Sequence, residues 1–369
     1  MMRVLLLGGT GTLSTAICRL AVNKGIEVSV LNRGNNNSKL PKGVTIYKGN
    51  FHSKQDLLQC LEYGKYDVVI DFLSRIPSDI EHVYSIFSNN CQQFIFISSA
   101  CVYRRAKEDF PIKETSPKPN KDWSYNIEKY NCEKKMIEKS KGSSSYYTII
   151  RPYITYDKNR IPFGIAPAYK FHRTIIERIK HDKPLFVWNN GQTLTTLTYV
   201  EEFAEGVVVL FLNPKAVNQD FHITTDFTCQ VKDVLLCLYK ELGKSPNIIN
   251  IPDKLLVKVM PNYKGMLYGD RKLDAVFDNS KIKDAVPGLR FTTDIHQGIH
   301  QILEHYKKSN DYLYDYQYEG QLDRMMNKFG IKTSFIKYQG SLKVSRYLYL
   351  LYRYFPYKIA SRLNRIFKL

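Results

Sequence analysis

Short apolar runs alternate with longer amphipathic stretches through the first part of the chain. Val4 to Leu7 is a run of strand length, and Gly8 to Ser14 (GGTGTLS) leads from it into a stretch where Ala16, Leu20 and Ala21 recur at helical spacing. A second strand, carried by Val28, Val30 and Leu31, ends at Asn32 and Arg33. Val44 to Lys48, Val68 to Phe72 and Phe94 to Ile97 read as further strands, with helices at Lys54 to Tyr63 and Ser78 to Phe87. Strands alternating with helices at this spacing predict an α/β fold with a doubly wound parallel sheet, its ligands at the carboxyl ends of the strands. Val207 to Leu212 and a strand near Phe221 to Thr224 are read as returning the chain to that sheet. Later patterns predict helices at Val231 to Leu242, Asp253 to Met260, His296 to Tyr306 and Gln321 to Phe329, and a strand at Asn247 to Ile251.

The loop after the first strand is the first candidate for chemistry. A strand turning directly into a helix can set a pyrophosphate against the helix N-terminus only where no side chain blocks the approach, which is the part of Gly8 and Gly11. The helix beginning near Thr12 and Leu13 supplies unpaired N–H groups and a positive dipole end. A tight turn without a ligand is the alternative for the loop alone; the strand, helix and second strand around it favour a dinucleotide. At the end of the second strand, Asn32-Arg33-Gly34 has no carboxylate for ribose hydroxyls. An arginine there tolerates a 2′-phosphate, so NAD(P) is expected, leaning to NADP.

The second candidate is Tyr125-Asn126-Ile127-Glu128-Lys129. On a helix, Tyr125 and Lys129 lie one turn apart on one face, placing an ammonium beside a phenol. A phenol of ordinary pKa about 10 is a poor base at neutral pH, and bringing it near 7 takes about 4 kcal/mol of differential stabilisation. Ser99, at the end of the Phe94 to Ile97 strand, would hydrogen-bond the same substrate oxygen. Singly, an exposed Tyr and Lys on a surface helix explain such a pattern. Coupled to the loop and to Ser99, they point to hydride-transfer chemistry.

Composition narrows the picture. With 369 residues the chain can bury a large core in more than one lobe. Seven cysteines, an odd number without CxxC or metal-ligand spacing, suggest reduced thiols in a cytoplasmic compartment and call for no metal. The chain enters a strand almost at once, so no export signal is expected, and no apolar run is long enough to span a bilayer. The net charge of +19 is uneven: no Asp or Glu follows Asp323, whereas nine Lys or Arg fall between Lys332 and Lys368. Basic charge suits a phosphate-rich ligand, an anionic membrane or nucleic acid alike. From Arg160 to about Asp182 a basic, aromatic stretch is expected to line a substrate lobe, with His172 structural or in contact with phosphate. Ser341 to Leu369 mixes Tyr, Leu and Phe with Lys and Arg and is broken by Pro356; as a helix it would show one apolar-aromatic and one cationic face. Peripheral membrane contact at the inner face and docking on another subunit or on the body are the leading readings of 341–369, with nucleic acid third.

Four motifs carry a family resemblance: GGTGTLS at Gly8 to Ser14, SSACVY at Ser98 to Tyr103, YNIEK at Tyr125 to Lys129 and IIRPYITY at Ile149 to Tyr156. Residues 1 to about 300 resemble the extended short-chain dehydrogenase/reductase family, the NAD-dependent epimerase/dehydratase group that acts mainly on nucleotide sugars. The resemblance implies a Rossmann domain at 1–156 that also receives about 196–226, and a smaller mixed α/β substrate lobe at 157–195 and 227–310. A helical C-terminal extension with a basic amphipathic helix would occupy 311–369. It also implies Ser99, Tyr125 and Lys129 as the catalytic trio, Asn50 where related folds carry an adenine-contacting Asp, Arg151-Pro152 leading into the nucleotide-sugar site, and a homodimer. Ser14 replaces the family's third glycine, a small-for-small change. Ala100 and Cys101 stand where sugar 4,6-dehydratases carry Asp-Glu, which argues against dehydration. Cys101 matches a cysteine that moves protons in GDP-mannose 3,5-epimerase; packing is its plainer explanation. Thr195 or a neighbour falls where the family usually carries an arginine that grips the pyrophosphate; either Arg271 takes over that role or the substrate differs from the usual ones.

The expected function is a nucleotide-sugar epimerase or 4-ketoreductase of bacterial surface polysaccharide synthesis. The alternative is a binding protein on the same fold, since some plant chloroplast relatives bind RNA.

Overall fold

Strand β1 (Arg3–Leu7) lies at the centre of the molecule's main sheet, its last four residues fully buried. A computed structural model describes residues 1–309, 313–338 and 343–367. After β1 come helix α1 (Thr12–Asn23), β2 (Glu27–Asn32), β3 (Thr45–Lys48), α2 (Lys54–Gln59), β4 (Tyr66–Asp71), α3 (Pro77–Phe87) and β5 (Cys91–Ile97). Helix α4 (Ser124–Ser140), β6 (Tyr146–Pro152) and β7 (Ile154–Tyr156) follow. The chain continues through α5 (Arg173–Lys180), β8 (Leu185–Val187), β9 (Leu194–Tyr199), α6 (Val200–Val209), β10 (Gln219–Ile223), β11 (Thr228–Gln230), α7 (Val231–Glu241) and β12 (Ile248–Asn250). Helices α8 (Asp253–Val259), α9 (Lys264–Met266), α10 (Ser280–Ala285), α11 (Ile295–Lys308), α12 (Tyr316–Lys328), α13 (Lys343–Tyr354) and α14 (Tyr357–Phe367) complete it.

Two units result. The first comprises Met1–Tyr156, Thr196–Thr228 and Ala275–Thr293; the second takes Asp157–Thr195, Cys229–Asp274 and the described residues from Asp294 onward. In the first, seven parallel strands run in the order β3-β2-β1-β4-β5-β6-β10. Alternate residues fill opposite layers. Leu5, Leu7, Val69, Phe94 and Phe96 form one with Ile80, Val83, Phe87, Cys132 and Met136 of α3 and α4; Val4, Leu6, Val30, Ile70 and Ile95 form the other with Ala16 and Ile17 of α1 and Phe203 and Val207 of α6. Both faces are thus covered, as a parallel sheet requires. Strand order reverses between β1 and β4, where Leu7 pairs with Asp71; ligands of such sheets bind outside the carboxyl ends at that reversal.

The apolar run from Val207 returns the chain to the sheet as a helix. It ends helix α6, whose Phe203, Ala204, Val207 and Val208 recur at helical spacing and are buried. The structured length of Lys54 to Tyr63 is also shorter than expected: α2 stops at Gln59, and Tyr63 is 70% exposed, with no core to cover a further turn.

In the second unit, β8 pairs with β12 in parallel. Helix α12 starts earlier than expected, absorbing the tyrosine-rich stretch before Gln321, and is buried through Tyr316, Tyr318, Leu322, Met325 and Met326. Arg178 and Lys183 both bond Glu319 and Asp323 of α12, Asp323 also accepts from Tyr349 of α13 at 2.8 Å, and all five side chains are buried. The final segment divides at Pro356 into α13 and α14. Of the expected 341–369 stretch, Ser341, Leu342, Lys368 and Leu369 lie outside the described residues, as do 310–312 near the expected boundary at 311.

Candidate active site

At the carboxyl end of β1, Gly8 has φ +96°, a conformation other residues rarely adopt, and a side chain there would meet Leu73 at 2.7 Å. Gly11 is different. Its φ is −83°, and a Cβ would touch only the Ser14 hydroxyl, at 3.5 Å. The fold itself does not demand glycine at 11, where the backbone is ordinary and the residue is exposed. Ser14 takes the third glycine's place without crowding: it is buried, and its hydroxyl accepts from the Gly11 N–H at 3.0 Å. Thr12 and Leu13 open α1 with N–H groups that no preceding turn can use.

At the end of β2 the Asn32 side chain accepts from Gly34 N–H at 2.6 Å, while its amide nitrogen is buried without a hydrogen-bond partner among the described residues. A buried donor aimed at this position suits the hydroxyls of an adenosine ribose. Arg33 is exposed beside it. Asn50, exposed after β3, is held by its own N–H to Asp56 at 2.6 Å and accepts from His52 N–H at 3.1 Å. These features fit a dinucleotide.

The second group of candidate residues lies on or just after β4, β5 and α4. Lys129 is buried, and its ammonium donates to the carbonyls of Ser74, at 2.7 Å, and Ile97, at 3.0 Å. Two of its three N–H bonds are thereby fixed. Burial draws the Lys129 amine below its ordinary range, and Asp71 opposes that shift. Asp71, fully buried, has its own carboxyl raised by burial; it accepts from Leu73 and Ser74 N–H at 2.8 and 3.1 Å and so shapes the turn that presents the Ser74 carbonyl. Tyr125 sits one turn before Lys129 on α4, half-buried, its ring 4.8 Å from that of Trp123. Ser99, two residues past Ile97, is buried and accepts from the Cys101 N–H at 3.2 Å, opening the short turn Ala100–Val102. Cys101 is buried in that turn. The elements bearing Ser99, Cys101, Tyr125 and Lys129 are therefore gathered in the first unit.

Arg151 is in the same unit. Its guanidinium bonds both Glu133 oxygens at 2.8 Å, Tyr103 at 2.8 Å and Asp220 at 2.6 Å, and the side chain is 2% exposed. Glu133 also accepts from Ser98 at 2.5 Å. Arg271 belongs to the second unit. Its stem crosses Gly164, where a Cβ would stand 2.6 Å away, its carbonyl accepts from the Trp188 indole at 2.9 Å, and its guanidinium pairs with Asp270. Arg160, in the same unit, lies over the Tyr169 ring at 4.4 Å, and its pKa is lowered by burial and by the Arg271 charge. His172 is buried with both ring nitrogens engaged: Nδ1 accepts from Ile161 N–H at 2.9 Å, and Nε2 faces the Pro167 carbonyl at 3.1 Å. Reading from sequence missed Asp71, Ser74 and Glu133, whose parts depend on contacts across the sheet that no local spacing encodes. Among the described residues no group of His, Cys, Asp and Glu could hold a metal ion.

A seven-stranded parallel sheet with a glycine-bearing turn after β1 and a Tyr/Lys helix is the fold of the extended short-chain dehydrogenase/reductase group. Residues 4–224 match the NAD dependent epimerase/dehydratase family, and the chain belongs to it. It is 24% identical over 235 residues to chloroplast stem-loop binding protein of 41 kDa b of Arabidopsis thaliana, covering 60% of this chain and 58% of that protein. It is 25% identical over 150 residues to the bifunctional UDP-glucose 4-epimerase and UDP-xylose 4-epimerase 1 of Pisum sativum, covering 31% of this chain and 43% of that protein. The chain thus spans about half the length of these relatives. Among solved structures, UDP-glucose 4-epimerase of Thermus thermophilus in complex with NAD superposes with a TM-score of 0.66 at 17% identity, covering 84% of this chain and 100% of that one. UDP-glucuronic acid 4-epimerase of Bacillus cereus, in complex with UDP-glucuronic acid and NAD, gives 0.66 at 18% identity, covering 83% and 99%.

Proposed function

We propose that this chain is an NAD(P)-dependent nucleotide-sugar epimerase, with 4-ketoreduction as the one-pass version of the same chemistry. The observation that carries the reading is Lys129, one helical turn from Tyr125, with its amine fixed to the end of the strand that leads into Ser99. The nucleotide would be held by the Gly8–Leu13 turn, Asn32, Arg33 and Asn50, with the third Lys129 N–H on its ribose. When bound, the nicotinamide supplies hydride acceptance and return at a sugar carbon. Tyr125 takes and returns the proton of the sugar hydroxyl, Lys129 favours the phenolate by its charge, and Ser99 donates to the same oxygen. Cys101 would exchange a proton with a carbon beside the transient ketone.

We read Arg151 as a fastener of β6 to α4, because four of its five N–H donors go to Glu133, Tyr103 and Asp220. Arg271, already paired with Asp270, is the arginine we propose to meet a diphosphate in place of the one missing near Thr195. The missing carboxylate at the end of β2 and the exposed Arg33 support NADP; the NAD complexes of the neighbours support NAD at the level of the family.

The test is a panel of UDP- and GDP-sugars incubated with purified chain, the product followed by nuclear magnetic resonance and the cofactor by absorbance. Isomerisation without net cofactor consumption is expected, and Tyr125→Phe should lower kcat by about 100-fold or more while cofactor affinity holds. Tyr125→Phe turning over like the parent would remove the enzymatic reading. The likeness to a stem-loop binding protein favours a second reading, a nucleic-acid binder on this fold. Stem-loop RNA retained on a filter at physiological salt, with no turnover of any sugar, would establish it instead.

A further inference from the structure

Helix α14 ends the described chain, and its three faces have different characters. Ala360 is buried, and Asn364, four residues on, reaches the Tyr352 hydroxyl of α13 at 3.4 Å; this side packs inward. Lys358, Arg362 and Arg365, at i, i+4 and i+7, make a basic strip, every member exposed. Ile359, Leu363 and Ile366, displaced by one residue at the same spacing, make an apolar strip beside it, and Phe367 closes the helix on the Ala360 side. Ile359 is 48% exposed, Ile366 60% and Phe367 65%. Tyr354 and Phe355, just before the break at Pro356, are 63% and 47% exposed. These are not the side chains of a loose end. Helix α13 is fixed to α12 by the Asp323 bonds to Tyr349 and Arg353, and Asp323 in turn holds the buried Arg178 and Lys183.

We propose that α14 docks in the plane of an anionic membrane surface, with Ile359, Leu363 and Ile366 entering the boundary of the acyl chains and Lys358, Arg362 and Arg365 meeting lipid phosphates. Adjacent apolar and cationic strips along one helix are the pattern that such a surface satisfies at once. A nucleic acid would engage the basic strip and leave the apolar one in water. A second copy placed face to face would set basic strip against basic strip with no carboxylate to answer it, since neither α13 nor α14 contains Asp or Glu. No helix among the described residues is long and apolar enough to cross a membrane, which is consistent with docking in the plane. Tyr354 and Phe355 at the junction suit the headgroup level.

The experiment is flotation of the full chain with vesicles of phosphatidylcholine alone or containing about one quarter phosphatidylglycerol. Binding is expected only to the anionic vesicles and should weaken as salt rises. Lys358→Gln/Arg362→Gln/Arg365→Gln should lower partitioning by about 100-fold. Ile359→Ser/Ile366→Ser should abolish it to a similar extent, and both variants should keep the parent's melting temperature and sugar turnover. The proposal is overturned if the parent shows no preference for anionic vesicles, or if the serine variant still floats. It is also overturned if the parent forms, without lipid, an oligomer that the serine variant disperses, or if it binds RNA through the basic strip alone. None of these outcomes depends on whether the Tyr125 chemistry operates.

Discussion

The Lys129 ammonium and the Ile97 carbonyl oxygen are 3.0 Å apart, joining the helix that carries the phenol to the strand that leads to the serine. The same nitrogen bonds Ser74, so Lys129 is a fastener for two strand ends as well as a charge. Lys129→Ala leaves two carbonyls without their donor. A stability loss of about 1–3 kcal/mol in urea unfolding is expected, together with loss of turnover. Unchanged stability would mean that these bonds are weak in solution.

The two glycines of the first loop should respond oppositely to alanine. At Gly11 the backbone is ordinary and the space open, so Gly11→Ala should leave the melting temperature nearly unchanged while weakening NADP(H) binding by about 10-fold or more, since a methyl would intrude on the pyrophosphate. At Gly8 the φ of +96° and the Leu73 contact make Gly8→Ala destabilising by about 1–3 kcal/mol before any ligand is added. Thermal melts and fluorescence titration with the reduced cofactor separate the two effects. Equal behaviour of the variants would undo the assignment of Gly11 to a ligand.

Arg151 and Glu133 form a bidentate pair, each side chain 2% exposed. Arg151→Met alone strands a buried carboxylate and should cost about 3–5 kcal/mol; Arg151→Met with Glu133→Met should recover much of that loss. If instead Arg151→Met folds as stably as the parent but raises the KM for the sugar nucleotide, the arginine reaches substrate after all.

Two histidines set an acid limit. Burial holds His172 and His222 neutral, with pKa values pushed down from 6.5 to about 3 and about 4. The unfolded chain therefore takes up protons at these positions below about pH 6.5 while the native chain does not, so stability is complete above that pH and falls toward pH 4. Each site contributes a slope of up to about 1.4 kcal/mol per pH unit. Urea midpoints measured from neutral pH downward should show the decline, and His222→Gln should flatten it; a midpoint indifferent to pH between 6.5 and 4.5 contradicts it.

How far the fold could be read from sequence follows the range of the forces involved. The sheet domain announces itself locally: apolar runs are strand-length, Gly8 and Gly11 punctuate a turn, and Tyr125 and Lys129 share a helical face. The run at Val207 carried no element type in the sequence, because a short apolar stretch of β-branched residues reads equally as strand or as the buried end of a helix. Asp71 gave no local sign, since its importance comes from the Ser74 carbonyl that Lys129 reaches from a helix 55 residues away. Arg178 looked like one more base in a basic stretch. Only the folded chain reveals that Glu319 and Asp323, more than a hundred residues later, neutralise it.

That long-range neutralisation bears on how the chain can be handled. The family match ends at residue 224, which invites trimming the C-terminal helices as dispensable. A truncation before α12 would instead leave Arg178 and Lys183 as unanswered cations in an interior that cannot hydrate them, so the shortened product should precipitate rather than yield a minimal enzyme.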